Sequence, residues 1–155
     1  MAAYSSPLYA QNQPANTGHG FNTSSVHMHA TVTVPATLAL NDTINFGYLP
    51  ANAVVVAVIL KAPTQLDSNG APALTLSLGV TGTAALFKSA VTTVGRAAGA
   101  SADATNAAAG VLFKNGAGAK TAVIGTVSAA AATPVAGTLE CDVEFYVEDA
   151  VGSPA

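Results

Sequence analysis

The segment Thr138-Leu139-Glu140-Cys141-Asp142-Val143-Glu144-Phe145-Tyr146-Val147-Glu148 alternates apolar and polar residues almost without a break. Side chains of an extended chain point alternately to opposite sides, so Leu139, Cys141, Val143, Phe145 and Val147 share one face. Glu140, Asp142, Glu144, Tyr146 and Glu148 share the other. A period of two sustained over this length predicts a strand with one face in a core and one turned outward.

The same pattern recurs upstream. Val26, Met28, Ala30, Val32 and Val34 oppose His27, His29, Thr31 and Thr33, and Pro35 ends the run because it has no N–H to donate. Leu38 and Leu40, continuing to Thr43-Ile44-Asn45-Phe46, predict one or two further strands before a turn at Gly47-Tyr48-Leu49-Pro50. Val54 to Lys61 is β-branched almost throughout, which predicts a strand covered on both faces. After the loop Gln65 to Gly70, whose Asn69-Gly70 pair tolerates positive φ, Ala73 to Val80 alternates with its leucines inward. These two runs are predicted to be antiparallel neighbours.

Shorter strand candidates follow at Ala84 to Ser89, Val111 to Lys114 and Thr121 to Val127. In the Ala-rich stretch Arg96 to Ala109, residues Gly99, Ser101, Asp103, Thr105 and Asn106 favour a loop or irregular crossing over a helix. The tripeptide Leu-Phe-Lys occurs at 86–88 and again at 112–114, too little to establish a repeat. The sum is an all-β chain: a jelly-roll-like antiparallel β-sandwich of about seven to nine strands. Residues 1–25 carry no period and read as an extended N-terminal arm, 26–150 as the sandwich, and 151–155 as a flexible tail.

Composition narrows the function. Of 155 residues 50% are apolar and 8% charged, with a net charge of -3, against about a quarter charged in ordinary domains. The exterior must be built from Thr, Ser, Asn, Gly and Ala, and a weakly charged exterior favours association. Lys61, Lys88, Arg96, Lys114 and Lys120 are scattered singly, so no nucleic-acid partner is expected. The apolar run Ala53 to Leu60 is far shorter than the roughly 18 residues of a membrane helix, and no membrane partner is expected. Met1 to Pro7 has neither the basic start nor the apolar run of a secretory signal, so folding in the cytoplasm is expected. Cys141, the single cysteine, excludes an internal disulfide or a multi-thiolate metal site.

Chemistry finds little support. Gly116-Ala117-Gly118-Ala119-Lys120-Thr121 has the flavour of a phosphate loop, but Ala119 stands where the second glycine is needed. His27 and His29 lie about 7 Å apart on one strand face, yet no third ligand stands at a fixed spacing. No serine sits in a nucleophile elbow, and Cys141 is predicted to point into the core. No enzyme activity, cofactor or metal is expected. Partner binding is assigned instead to Tyr4, Leu8, Tyr9 and Phe21, aromatic and apolar anchors through which the arm can order on a neighbour. It is assigned also to Glu140, Asp142, Glu144 and Glu148, as an acidic stripe facing a basic partner surface. The plain alternative for that stripe is a charged face that keeps a sheet from aggregating.

The stretch Phe46-Gly47-Tyr48-Leu49-Pro50-Ala51-Asn52-Ala53-Val54-Val55-Val56, followed by Leu66-Asp67-Ser68-Asn69-Gly70-Ala71-Pro72-Ala73-Leu74-Thr75-Leu76-Ser77-Leu78-Gly79, resembles small structural proteins of tailed-bacteriophage heads. In both, a Leu-Pro turn and a valine run lead through an Asp/Gly loop to an alternating Leu/Thr strand. The likeness covers residues 44 to 148. It implies a decoration or cement protein of the virion that binds the outer capsid surface and braces the major capsid protein, working as a homodimer or homotrimer. No family site residue is carried over. The competing reading is a carbohydrate-binding or adhesive module of a tail or fibre, which the absence of Trp and the 6% aromatic content oppose.

Overall fold

The computed structural model describes residues 2–5, 25–103, 113–116 and 118–148. Nine strands run through it: β1 Ala3–Ser5, β2 Val26–Val34, β3 Thr43–Leu49, β4 Ala53–Ala62, β5 Thr75–Val80, β6 Thr83–Val91, β7 Ala100–Asp103, β8 Thr121–Ala129 and β9 Gly137–Val147. The described residues contain no helix. Two sheets form, in the order β1-β3-β8-β5-β6 and β2-β9-β4-β7. From β2 to β5 each strand crosses to the opposite sheet, β5 and β6 pair as a hairpin, and β7, β8 and β9 cross again. The first long strand thus lies beside the last, and all pairings but β1 with β3 are antiparallel. This is the eight-stranded jelly roll, with β1 added at one edge.

Alternation in the sequence becomes burial in the sandwich. Met28, Ala30, Val32 and Val34 of β2 and Leu139, Cys141, Val143 and Phe145 of β9 face Ile44, Phe46, Leu76, Leu78, Val123 and Val127 of the other sheet, all buried. Each large side chain so placed contributes about 1.5–3 kcal/mol of apolar burial. The repeated tripeptide also meets itself, since the rings of Phe87 and Phe113 pack edge to face with centroids 5.8 Å apart.

Four expectations are corrected. The run Val54 to Lys61 is covered on both faces only at its start, where Val54 and Val55 are both buried; beyond it Val58, Leu60 and Ala62 are buried, while Val56, Ala57, Ile59 and Lys61 are half-buried. A bulge between Val55 and Ala57 shifts the alternation by one residue, so two half-buried stretches out of phase read as one continuous apolar run. That strand is not the neighbour of β5 either. It pairs with β9 and β7 in one sheet while β5 pairs with β8 and β6 in the other.

Gly47-Tyr48-Leu49 is not a turn but the end of β3, which passes a second bulge between Asn45 and Gly47. The chain reverses at Pro50–Asn52, where Asn52 takes a φ of 59°. Finally, Ala100–Asp103 of the supposed crossing is strand β7 on β4, while 104–109 lie outside the described residues. Within the expected arm, Ala3–Ser5 is strand β1. Leu8, Tyr9 and Phe21 lie outside the described residues, as does the tail 151–155.

Candidate functional site

The outer face of the four-stranded sheet carries the acidic stripe. Register places His27 opposite Glu144 and Ala57 on its other side, His29 opposite Asp142 with Ile59 beyond, and Thr31 opposite Glu140 with Lys61 beyond. Asp142 lies between two side-chain partners, with His29 Nδ1 at 2.5 Å and Lys61 Nζ at 2.6 Å. Partial burial would raise the pKa of Asp142, but the hydrogen bonds from Lys61 and His29 outweigh it and hold the carboxyl below its ordinary value. The hydrogen bond to Asp142 in turn raises the pKa of Lys61. Glu148 pairs with Lys114. Among the described residues Glu140 and Glu144 enter no ion pair, and they leave two carboxylates facing outward from the middle of the sheet.

The stripe lies in the middle of its sheet. Strand β9 is central, flanked by β2 and β4, so its carboxylates do not guard a sheet edge. The two histidines share this face as expected. No group of three His, Cys, Asp or Glu side chains among the described residues is arranged to hold a metal ion. Cys141 is fully buried in the core, where burial pushes its thiol pKa well up and keeps it from acting as a thiolate nucleophile.

The outer face of the five-stranded sheet differs in kind. Thr43, Thr126 and Ser77 line up across β3, β8 and β5, as do Asn45, Ile124 and Gly79. Lys88 of β6 is the one charged residue in these five strands. Gly79 itself has no room for a side chain: a Cβ there would lie 2.1 Å from the Thr83 carbonyl oxygen of the tight β5–β6 hairpin.

Sequence reasoning missed two buried polar residues that order the loops beside these faces. Asp67 is fully buried, and its carboxylate accepts backbone N–H bonds from Asn69, Ala73, Leu74, Ala132 and Thr133 at 2.7–3.3 Å. Burial pushes its pKa up, but the donors at Thr133, Ala132, Leu74 and Ala73 together more than offset it, and the carboxyl stays far below the ordinary carboxylate range. Arg96 closes the same corner, its Nε donating to the Leu74 carbonyl at 2.6 Å and its Nη2 to the Ala73 carbonyl and Thr75 Oγ1 at 3.0 Å. The Asp67-x-Asn69 spacing of an Asx turn was the available signal.

Asn115 does the corresponding work at the other end. Its Nδ2 donates to the carbonyls of Leu49, Pro50 and Ala119, and its Oδ1 accepts from Thr121 Oγ1 at 2.6 Å. The glycine-rich stretch that resembles a phosphate loop is thus cross-linked as a strand-to-strand connection.

Tyr4 is the one arm anchor within the described residues. It is half-buried against the core, and its hydroxyl lies 3.5 Å from Asp42 Oδ2. The Ala2 N–H donates to Asp42 Oδ1 at 2.7 Å and that of Ala39 to Oδ2 at 3.0 Å, and these bonds, the Ala2 bond foremost, lower the Asp42 pKa.

No protein-family model matches the chain, and no curated protein does. Two solved structures are similar over nine-tenths or more of each chain. A chain of the cyanophage Pam1 capsid asymmetric unit is 32% identical, with 90% of this chain and 96% of that chain covered at a TM-score of 0.72. A chain of the capsid of Ralstonia phage GP4 is 29% identical, with 99% and 100% covered at a TM-score of 0.75.

Proposed function

Because the chain belongs to the family of phage capsid proteins represented by these two structures, we propose that it is a decoration or cement protein that binds the outer capsid surface of a tailed phage and bridges major capsid subunits. The observation that carries the reading is coverage. This chain covers 96% and 100% of the two capsid chains it matches, so a chain of this length and fold has a place in a capsid. Its physics fits that task. A sandwich with 8% charged residues presents broad neutral surface, and each contact made only by the assembled shell stabilises it by mass action without chemistry.

The two outward carboxylates Glu140 and Glu144 steer docking onto a basic patch of the major capsid protein. The exposed residues of β6, at the edge of the five-stranded sheet, supply contact area, and the protein works as a homodimer or homotrimer, folded in the host cytoplasm before it joins the shell. Catalysis has no part in this role. The test is to mix purified protein with capsids assembled without it, sediment the shells, and challenge them with heat or chelator. Co-sedimentation with a raised disruption temperature is expected. Protein that stays in the supernatant, or that enters shells only when present during their assembly as the lattice subunit itself, overturns the reading.

A further inference from the structure

We propose that strand β1 is exchanged between copies, Ala3–Ser5 of one protomer adding to the edge of β3 in a neighbour. The acceptor is built for a short extended segment. Strand β1 runs parallel to β3 with Ala3, Tyr4 and Ser5 opposite Thr43, Ile44 and Asn45. Thr43 N–H donates to the Ala2 carbonyl at 2.9 Å, Asn45 Nδ2 to the Tyr4 carbonyl at 3.3 Å, and Ala2 N–H to the Asp42 carboxylate at 2.7 Å. Tyr4 packs on the core beside them. Without an occupant, β3 would leave a row of unpaired backbone groups at the end of its sheet, the feature through which sheets recruit strands from other chains.

Chain length permits a neighbour as donor. Strand β1 comes within 8 Å of β2, the next strand in the chain. About 20 residues nevertheless separate Ser5 from Val26, a contour of about 65 Å at about 3.3 Å per residue. A connection of this length can reach an adjacent copy as well as its own β3, and every β1–β3 contact can be made identically in a neighbour. Copies held side by side on a shell then trade strands, and each is tied to the next.

This inference rests on the reading of the chain as a multi-copy capsid component, and its test separates the two. Ala3→Cys on one tagged copy and Thr43→Cys on a differently tagged copy place thiols at paired positions, and buried Cys141 gives no background. Co-expressed full-length chains, alone and bound to shells, are oxidised and run without reductant. Strand exchange yields a covalent product carrying both tags that disappears on reduction, and Asp42→Ala, which removes the anchor of β1, lowers its yield. In the double variant Ala3→Cys/Thr43→Cys, shell-bound chains that close only within themselves, together with no dual-tag product, overturn the exchange. In that case co-sedimentation with shells still stands as evidence for the proposed function; failure to co-sediment counts against that function instead.

Discussion

Asp67 and the carboxylates of β9 are the same chemical group in opposite settings. Asp67 is fully buried and its carboxylate is held by five backbone N–H donors from two loops. Glu140, Asp142 and Glu144 stand on an outer sheet face, where the protein pairs one of them with Lys61 and His29 and leaves two facing outward. A carboxylate that has given up its water must be satisfied by the fold and becomes part of the structure. One that keeps its water costs the fold little and remains available to a partner.

The contrast breaks first at Asp67. Asp67→Ala leaves five backbone N–H groups, that of Leu74 buried, without their acceptor and should lower the unfolding free energy by about 3 kcal/mol, measured by denaturant titration; a loss below about 1 kcal/mol would erase the distinction. Acid sharpens it. The folded-state pKa of Asp67 lies below its unfolded value of about 3.9, so its stabilisation is complete above that value and is lost as pH falls through and below it. The melting temperature should therefore drop steeply below about pH 4, and Asp67→Asn, already destabilised at neutral pH, should show a shallower acid limb.

The outer face answers in a different currency. Glu140→Lys with Glu144→Lys should change stability by no more than about 0.5 kcal/mol, while association with shells at low salt slows about tenfold or more and loses its salt dependence. Stopped-flow or surface-binding kinetics at two ionic strengths would show it. Smallest of all, Asp142→Asn should cost about 1 kcal/mol or less, with the difference fading in high salt.

The sequence was most readable where one residue type decided the outcome. The alternation in Val26–Val34 and the proline after it set both the ends and the inward face of β2, and the same alternation placed Cys141 in the core. Reading failed where partners or phase mattered. Alternation says which face a residue takes but not which strand lies beside it, so β4 and β5 were paired although they belong to opposite sheets. Bulges at Val56 and Phe46 hid a change of phase, turning one half-buried strand into an apparent buried one and a strand end into an apparent turn. Of the candidate site, the acidic row was legible as a row. Its division into paired and outward carboxylates was not, because Lys61 and His29 reach Asp142 from strands far away in the chain. Asp67 was read as loop because its five donors are backbone groups, which carry no residue signature.

The order of synthesis follows from where β9 sits. This strand is made last of the nine, yet it occupies the centre of its sheet, hydrogen-bonded to β2 on one side and β4 on the other. While the ribosome still holds it, the nascent polypeptide has a sheet with its middle missing and Met28, Val32, Val58 and Leu60 left uncovered. Maturation must then wait for translation past Val147, and the final closure joins residues more than a hundred positions apart, as the pairing of Val26 with Phe145 requires, which is slow by the general dependence of folding rate on contact range.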